Sequence, residues 1–258
     1  MDRFDLTGKT AVVIGGSSVL GGSMAEALAA HGADVALVGR DAKRLEAVAG
    51  RGAQSGDDRG GARSFPADAT SRANLLRVRD EVLSWTGRVD ILLNSVGVNS
   101  TTPFFSLTDE EWDAIMRVNA RSVMQACQIF GEQMVKAGRG GSIVNISSVS
   151  SGPPLSKVFT YSASKASVNS MTQFLARELA PHRIRVNAII PGFFPAVQNR
   201  AILTPERTAA ILQHTPLGRF GEPEELQGTV VWLASERASG FVTGALIRVD
   251  GGFGAMSI

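Results

Sequence analysis

Tyr161 is the only tyrosine of this 258-residue chain, and Lys165 follows it four positions later. Residues four apart lie on the same face of a helix, so the ammonium group would stand one turn from the phenol. A phenol with an ordinary pKa of about 10 is a poor base at neutral pH unless a nearby cation favours the phenolate. The pair therefore predicts proton transfer in which Lys165 lowers the phenol pKa.

Two serines precede this pair, just past the apolar run Ile143–Ile146. The run is typical of a buried strand, and a strand end would deliver a hydroxyl group to the same crevice. Ser148, thirteen residues before Tyr161, is the candidate. Ser147 is the alternative, because adjacent residues that leave a strand point in opposite directions.

A glycine-rich turn joins the first apolar run to a helical pattern. Residues 12–22 read Val-Val-Ile-Gly-Gly-Ser-Ser-Val-Leu-Gly-Gly. A pyrophosphate needs the unpaired N–H groups of a helix start and glycines that let the backbone approach closely. Such turns also occur for purely steric reasons, so both interpretations stay open at this point. The residues that would hold a dinucleotide here are Gly15, Ser17, Ser18, Val19, Leu20 and Gly21.

The second apolar run, Val35–Val38, ends in Gly39, Arg40 and Asp41. In a dinucleotide-binding fold this position lies beside the adenosine ribose. Gly39 cannot hold a ribose hydroxyl, whereas Arg40 can form paired hydrogen bonds with a 2′-phosphate. NADP(H) is therefore favoured over NAD(H). The alternative is that Asp41 turns inward while Arg40 points to solvent.

Apolar runs alternate with helical spacing along the whole chain, which predicts an α/β fold of parallel strands joined by crossover helices. Helices that cover both faces of such a sheet explain why the runs are almost wholly apolar. No Pro/Ser-rich linker divides the chain, so we expect one domain over residues 1–258. The seven predicted strands lie near Ala11–Ile14, Val35–Val38, Ser64–Ala67, Ile91–Leu93, Ile143–Ile146, Arg185–Ile190 and Ala245–Val249.

Two segments depart from this alternation. Ala49–Arg63 carries five glycines among charged residues and predicts a mobile surface loop. Pro191–Thr204 precedes a helix that starts near Pro205, and residues 191–215 are the candidate substrate lid, with an ordinary surface loop as the alternative. Arg200 suits a carboxylate and other polar side chains suit hydroxyl groups. The residues predicted to contact the substrate are Ser148, Asn99, Gln198, Asn199 and Arg200.

The composition indicates a small-molecule partner. The 26 basic and 24 acidic side chains nearly cancel, which argues against a nucleic-acid surface. Cys127 is the only cysteine, so no intrachain disulfide can form. No apolar run approaches the roughly 18 residues of a membrane span, and the start of the chain lacks the apolar segment of a secretory signal. Three dispersed histidines suggest no metal site. We therefore expect a cytoplasmic protein.

Together these motifs resemble the short-chain dehydrogenase/reductase family, in the family's order and over nearly the whole chain. Asn94-Ser95-Val96-Gly97 is similar to its segment after the fourth strand, and Val249-Asp250-Gly251-Gly252 to its C-terminal strand and turn. The resemblance assigns catalysis to Ser148, Tyr161, Lys165 and Asn119. It extends the dinucleotide site, which shares Tyr161 and Lys165, to Asp68, Ala69, Asn94, Ser95, Val96, Gly97, Pro191, Gly192 and Phe194.

The resemblance implies an NAD(P)-dependent oxidoreductase that interconverts a ketone and a secondary alcohol. It implies a single Rossmann-like, doubly wound domain with a seven-stranded parallel sheet flanked by helices, and a homo-oligomer, either dimer or tetramer. Tyr161 would transfer the proton, Ser148 would hydrogen-bond the substrate oxygen, and the cofactor would transfer the hydride. Asn119 would hold a water molecule that links Lys165 to solvent.

The sequence departs from the family's pattern at three places. Ile14 and Val19 stand where the family's turn has Thr and its middle Gly, and Phe193–Ala196 lacks the Thr that bonds the nicotinamide carboxamide.

The segments GGSSVLGGSMAEALA and PGFFPAVQNRAIL resemble sugar-acid reductases similar to fructuronate reductase (D-mannonate oxidoreductase), which predicts a sugar acid or polyol substrate. The alternatives are a 3-oxoacyl-carrier-protein reductase, a steroid or aromatic alcohol dehydrogenase, and a non-catalytic cofactor-sensing scaffold.

Overall fold

The apolar runs form one parallel sheet in the computed structural model, which describes residues 2–52, 60–194 and 203–256. The strand order is β3-β2-β1-β4-β5-β6-β7, and every neighbouring pair is parallel. The predicted Rossmann-like sheet is therefore confirmed. Its strands are β1 (Thr10–Ile14), β2 (Asp34–Gly39), β3 (Gly61–Pro66), β4 (Ile91–Asn94), β5 (Gly141–Ile146), β6 (Ile184–Pro191) and β7 (Leu246–Val249).

Helices connect the strands, and the helix predicted near Pro205 begins at that residue. A π-helical turn over Arg117–Arg121 joins the fourth helix to the fifth. The α-helices of the described residues are α1 (Val19–Ala30), α2 (Ala42–Gly52), α3 (Arg72–Thr86), α4 (Asp109–Met116), α5 (Ser122–Ala137), α6 (Phe159–Leu179), α7 (Pro205–Gln213), α8 (Gln227–Ala234) and α9 (Glu236–Ser239).

The five central strands of the sheet are buried on both faces. Alternate residues of a strand point to opposite sides, so Val13 of β1 joins a core with α1, α2 and α8. Its neighbour Val12 joins the second core, which α3, α5 and α6 complete. Because helices cover both faces there, these strands are mostly apolar and show no regular alternation of polar and apolar residues, whereas the edge strands β3 and β7 are more exposed.

The crevice that positions the site lies where the strand order reverses. β1 stands between β2 and β4, so the chain leaves β1 toward one edge of the sheet and later returns to its other side. The loops that follow β1 and β4 meet at this point, where Ser95 N donates a hydrogen bond to Ile14 O (2.8 Å). Ligands of open parallel sheets bind at such a switch point.

The loop predicted over Ala49–Arg63 is wrong at both ends. α2 includes its first four residues and β3 its last three. Val48 is buried in the core, and Arg51 pairs with Glu26 (2.6 Å), so tertiary contacts outweigh the low helix propensity of the glycines. At the other end, pairing with β2 starts the strand earlier than predicted. Residues 53–59 lie outside the described part of the chain.

Within the described ranges, none of the helices is long and apolar enough to cross a membrane. Nor do these ranges bring together three or more His, Cys, Asp or Glu side chains in a group that could hold a metal ion.

Candidate active site

Ser18 closes the turn that follows β1 and caps α1. Its Oγ accepts a hydrogen bond from Gly21 N (3.0 Å) and donates one to Gly15 O (2.8 Å). A Cβ added at Gly21 would lie 2.4 Å from Gly15 O, so the turn needs glycine there. The first N–H groups of α1 have no intrahelical partners and are left to bind an anion.

The two unusual residues of this turn fit without distorting it. Val19 is 44% exposed, and its side chain lies at the edge of the crevice instead of filling the turn. Ile14 is buried in the core below the turn. The turn therefore tolerates both departures from the family's pattern.

Gly15→Ala is expected to lower the free energy of unfolding by more than the roughly 1–2 kcal/mol that left-handed backbone costs an L-residue. Gly15 has φ +88, and its Cβ would lie 2.6 Å from Ser95 O, so the backbone would have to shift. That shift would separate the turn after β1 from the loop after β4, and dinucleotide affinity should fall as well. Thermal unfolding and NADPH titration measure the two losses.

Gly87→Ala is the matched control. Gly87 has φ +72, and a Cβ there would meet nothing within 4 Å, so this variant carries the backbone cost alone. If Gly15→Ala loses no more stability than Gly87→Ala, the contact with Ser95 does not constrain the turn.

Arg40 lies at the end of β2 and lines the crevice. The carboxylate of Asp41 accepts a hydrogen bond from Arg44 N (3.1 Å) and pairs with Arg44 Nε (3.2 Å). A Cβ at Gly39 would lie 2.8 Å from Ser17 Oγ, which explains the glycine sterically. Of the charged residues at this strand end, Arg40 is therefore the one that faces the crevice.

Asn94 faces the sheet and not the crevice. Its Nδ2 donates to Asn145 Oδ1 (2.8 Å) and to Cys127 Sγ (3.4 Å), so the side chain links β4 to β5. The next residues along the chain, Ser95 to Gly97, do line the crevice. The sequence motif thus contributes to the site through its last three residues, while its first residue holds the strand end in place.

Ser148 is the serine that contacts the phenol. Its side chain lies beside the Tyr161 phenol and opposes the rise of the phenol pKa. Its Oγ accepts hydrogen bonds from Ser150 N (3.2 Å) and Ser150 Oγ (3.1 Å). Ser147 is buried and donates to Lys165 O (3.3 Å). Of the two candidates, Ser148 therefore has the hydroxyl group that can meet a substrate.

The helical spacing of Tyr161 and Lys165 holds in α6, and both side chains line the same crevice. Lys165 Nζ lies 5.8 Å from the centroid of the Tyr161 ring. It donates to Ile146 O (2.9 Å) and to Val96 O (3.2 Å), which fixes the ammonium group between the ends of β4 and β5.

Burial sets the protonation of this pair. It raises the pKa of the Tyr161 phenol above its ordinary value, and the nearby Ser148 side chain opposes that effect only in part. Burial also lowers the pKa of Lys165 from 10.5 to about 8. At pH 7 both groups therefore hold their protons. The predicted lowering of the phenol pKa is wrong for the free protein, because burial dominates.

Asn119 lies behind the crevice, in the π-helical turn between α4 and α5. Its Oδ1 accepts from Val98 N (2.8 Å), and its Nδ2 donates to Val98 O (2.8 Å) and Ser164 Oγ (3.0 Å). Such turns are frequent at functional sites. The side chain thus ties the loop after β4 to α6, and its predicted contact with a water molecule stays a prediction.

One cavity of about 480 Å³ brings most of the predicted residues together. Those that line it are Ser18, Val19, Leu20, Arg40, Ser95, Val96, Gly97, Asn99, Ser148, Tyr161, Lys165, Pro191, Gly192 and Phe194. Gly15, Ser17, Gly21, Asp68, Ala69, Asn94 and Asn119 are not among the lining residues. Gln198, Asn199 and Arg200 lie outside the described residues.

Comparison with known proteins assigns the chain to a family. A family model described as enoyl-(acyl carrier protein) reductase matches residues 15–254. The D-threitol dehydrogenase of Mycolicibacterium smegmatis (strain ATCC 700084 / mc(2)155) is 36% identical over 250 residues, with 97% of this chain and 94% of that protein covered. The gluconate 5-dehydrogenase of Gluconobacter oxydans (strain 621H) is 35% identical over 254 residues, with 97% and 96% covered. The chain belongs to the short-chain dehydrogenase/reductase family.

A solved structure agrees with this assignment. The gluconate 5-dehydrogenase from Burkholderia cenocepacia J2315, in complex with NADP and tartrate, has a TM-score of 0.92 and 31% identity, and 99% of each chain is covered. As a short-chain dehydrogenase/reductase, the chain is an NAD(P)-dependent oxidoreductase that acts on CH–OH groups. This disfavours the non-catalytic scaffold.

The site of this short-chain dehydrogenase/reductase fits a dinucleotide. Gly15 and Gly21 let the turn after β1 close tightly against its neighbours, and the start of α1 offers N–H donors to phosphates. Arg40 adds a cation at one end of the cavity, while Tyr161 and Lys165 also line it. Residues of these types in this arrangement suit a dinucleotide that spans the carboxyl edge of the sheet.

Sequence reasoning missed several residues of the substrate end. Their positions depend on loops that fold over the crevice from distant parts of the chain, and no motif marks them. The helix start near Pro205, inside the predicted lid 191–215, is the signal that could have found Arg207. The missed lining residues in this region are Leu155, Val158, Leu203, Arg207 and Phe220.

Proposed function

We propose that this short-chain dehydrogenase/reductase interconverts a ketone and a secondary alcohol on a sugar acid or polyol, with NADP(H) preferred over NAD(H). The observation that carries the proposal is the shared cavity of Ser148, Tyr161 and Lys165, in which the Ser148 side chain lies beside the phenol. The D-threitol and gluconate dehydrogenases among its relatives support the substrate class.

The side chains of the site would divide the proton chemistry among them. Ser150 donates two hydrogen bonds to Ser148 Oγ, so the Ser148 proton is directed elsewhere and can bind the substrate oxygen. Tyr161, neutral at pH 7, would donate its proton to that oxygen during reduction and take it back during oxidation. The bound nicotinamide supplies or accepts the hydride.

Lys165 would stabilise the phenolate that forms when Tyr161 gives up its proton. Its ammonium group is held by two backbone carbonyls and stays charged below pH of about 8. The phenolate is the form that a nearby cation favours. The charge therefore helps at the moment of transfer, although burial keeps the resting phenol neutral.

A substrate panel tests the proposed function. NADPH and NADH oxidation would be followed with keto sugar acids, ketoses, a 3-oxoacyl thioester and a steroid ketone. Turnover of the sugar derivatives well above that of the other two classes is the expected result. Preference for the thioester or the steroid would contradict it.

The preference for NADP(H) is expected to depend on Arg40. Because a hydrogen bond to a charged group contributes about 1.5–3 kcal/mol, Arg40→Ala should lower kcat/KM for NADPH by about 10-fold to 100-fold. The value for NADH should change little. Arg44→Ala is the control, since Arg44 is exposed and pairs with Asp41. Equal losses with both cofactors would exclude a role in recognising the 2′-phosphate.

Residues 191–215 would act as a substrate lid. Phe194 and Leu203, on either side of the part that is not described, support this because both line the cavity. A homo-oligomer and a cytoplasmic location stay predictions. The exposed rings of Phe104 and Phe105 offer an apolar surface of the kind that subunit interfaces use.

A further inference from the structure

The charges around the cavity are unbalanced. Its described lining residues include three cations, Arg40, Lys165 and Arg207, and no carboxylate. Arg40 lies at the end of β2, and the ammonium of Lys165 is held by backbone carbonyls. Arg207 comes from α7, within the predicted lid segment 191–215. A cavity lined in this way has a positive potential, which favours anionic ligands.

We propose that Arg207 binds the carboxylate of the substrate, and that the enzyme therefore prefers a sugar acid to the polyol of the same carbon skeleton. The inference rests on the proposed function and narrows its substrate class. A guanidinium presents parallel N–H donors that match the two oxygens of a carboxylate.

The hydrogen bonds of Arg207 leave donors for such a ligand. Its Nη2 donates to Ser156 O (3.1 Å), and its backbone N to Thr204 Oγ1 (3.3 Å). No carboxylate pairs with it within the described residues. Arg219, by contrast, donates to both carboxylate oxygens of Glu225 at 2.8 and 2.6 Å.

The position of Arg207 is unfavourable for the helix that carries it. It stands in the first turn of α7, where the helix dipole repels a cation and favours an anion. The neighbouring Glu206 hydrogen-bonds the side chain of Thr204. Within the described residues this half-buried guanidinium has one hydrogen bond, to a backbone carbonyl, and no ion pair to offset its position. The helix start would add to its attraction for a bound anion.

The contact with Ser156 also fixes the direction of the guanidinium. Ser156 precedes Lys157, whose φ of +68 is a conformation that residues other than glycine rarely adopt. Strain of this kind persists where surrounding contacts hold the backbone, often near ligand sites. The carbonyl thus holds Arg207 beside the cavity before a ligand arrives.

Arg207→Met tests the proposal with D-gluconate and D-sorbitol, which share a carbon skeleton and differ by the carboxylate. From the usual contribution of charged hydrogen bonds, kcat/KM for gluconate should fall by about 10-fold to 100-fold, while kcat/KM for sorbitol should stay within about threefold. Arg207→Lys, which keeps the charge, should recover part of the loss. Arg237→Met, at an exposed arginine outside the cavity lining, is the matched control and should leave both values unchanged.

Other results would overturn the proposal. Equal losses for the acid and the polyol would mean that Arg207 only fastens α7 to the loop at Ser156. No change for either substrate, or a wild-type enzyme that uses sorbitol but not gluconate, would also overturn it. In the last case the proposed function would still stand.

Binding separates this inference from the proposed function if neither substrate is turned over. D-gluconate would be titrated into NADP-loaded Tyr161→Phe protein, with and without Arg207→Met. A loss of affinity only when Arg207 is replaced supports the carboxylate site, and equal affinities reject it. Absence of turnover across the whole substrate panel would reject the proposed function instead.

Discussion

Tyr161→Phe should lower kcat by about 10²-fold to 10⁴-fold, the usual contribution of a positioned general acid or base. The variant loses the phenol oxygen, which lies beside Ser148 and would give the proton to the substrate. The aromatic ring remains, so dinucleotide affinity should stay near that of the wild type. Steady-state kinetics and NADPH fluorescence titration measure the two properties separately. Turnover within about tenfold of the wild type would remove Tyr161 from the mechanism.

An absorbance titration gives a second test, because Tyr161 is the only tyrosine of the chain. The phenolate signal of the folded protein should appear above the ordinary pKa, since burial disfavours the charged form. The signal should be absent from the Phe variant. If NADP lowers the midpoint, Lys165 acts on the phenol in the complex, as the sequence predicts. A midpoint below the ordinary value in the free protein would contradict the burial of the phenol.

Lys165→Met should lower kcat by about 100-fold or more without destabilising the free protein. At pH 7 the wild type holds a buried ammonium group, and the fall of its pKa from 10.5 to about 8 corresponds to a cost of roughly 3 kcal/mol. Methionine removes this cost but leaves two carbonyls without their donor. The free energy of unfolding should therefore equal or exceed that of the wild type.

The lowered pKa of Lys165 makes the free energy of unfolding depend on pH. Unfolded lysine binds a proton more tightly than the buried group, so the stability of the wild type rises with pH between about 8 and 10.5. The advantage of Lys165→Met should be largest below pH of about 8 and should shrink above it. Lys136→Met, at an exposed lysine paired with Glu132, is the control and should show no such trend. A variant that is much less stable at pH 7 would mean that the ammonium group stabilises the fold.

The sequence was most informative where a property depends on neighbours along the chain. The spacing of Tyr161 and Lys165 places both side chains on one face of α6, whatever surrounds that helix. Apolar runs with both faces buried form the strands within a few residues of their predicted bounds. Strand order and register were not predicted from the sequence, because they depend on which distant strands pair in the sheet.

The glycine-rich turn shows where local information ends. Its sequence left open whether the glycines serve a phosphate or simple packing. The structure supplies a steric reason for Gly15, a contact with Ser95 of the loop after β4. The segments are distant in the chain and adjacent only at the switch point of the sheet. The same holds for Asn94. The motif predicts that it contacts the cofactor, whereas in the structure its side chain hydrogen-bonds Asn145.

By itself, then, the sequence predicted the side chains proposed for catalysis, the parallel sheet and the NAD(P) class of cofactor. These predictions came partly from periodicity and spacing, which are local properties, and partly from the resemblance of the motifs to a known family. Only the tertiary structure decided which serine meets the phenol, which way the pKa of Tyr161 moves, and that Arg207 joins the cavity without a carboxylate partner among the described residues. Burial and charge balance depend on what distant segments bring together, and spacing along the chain does not record them.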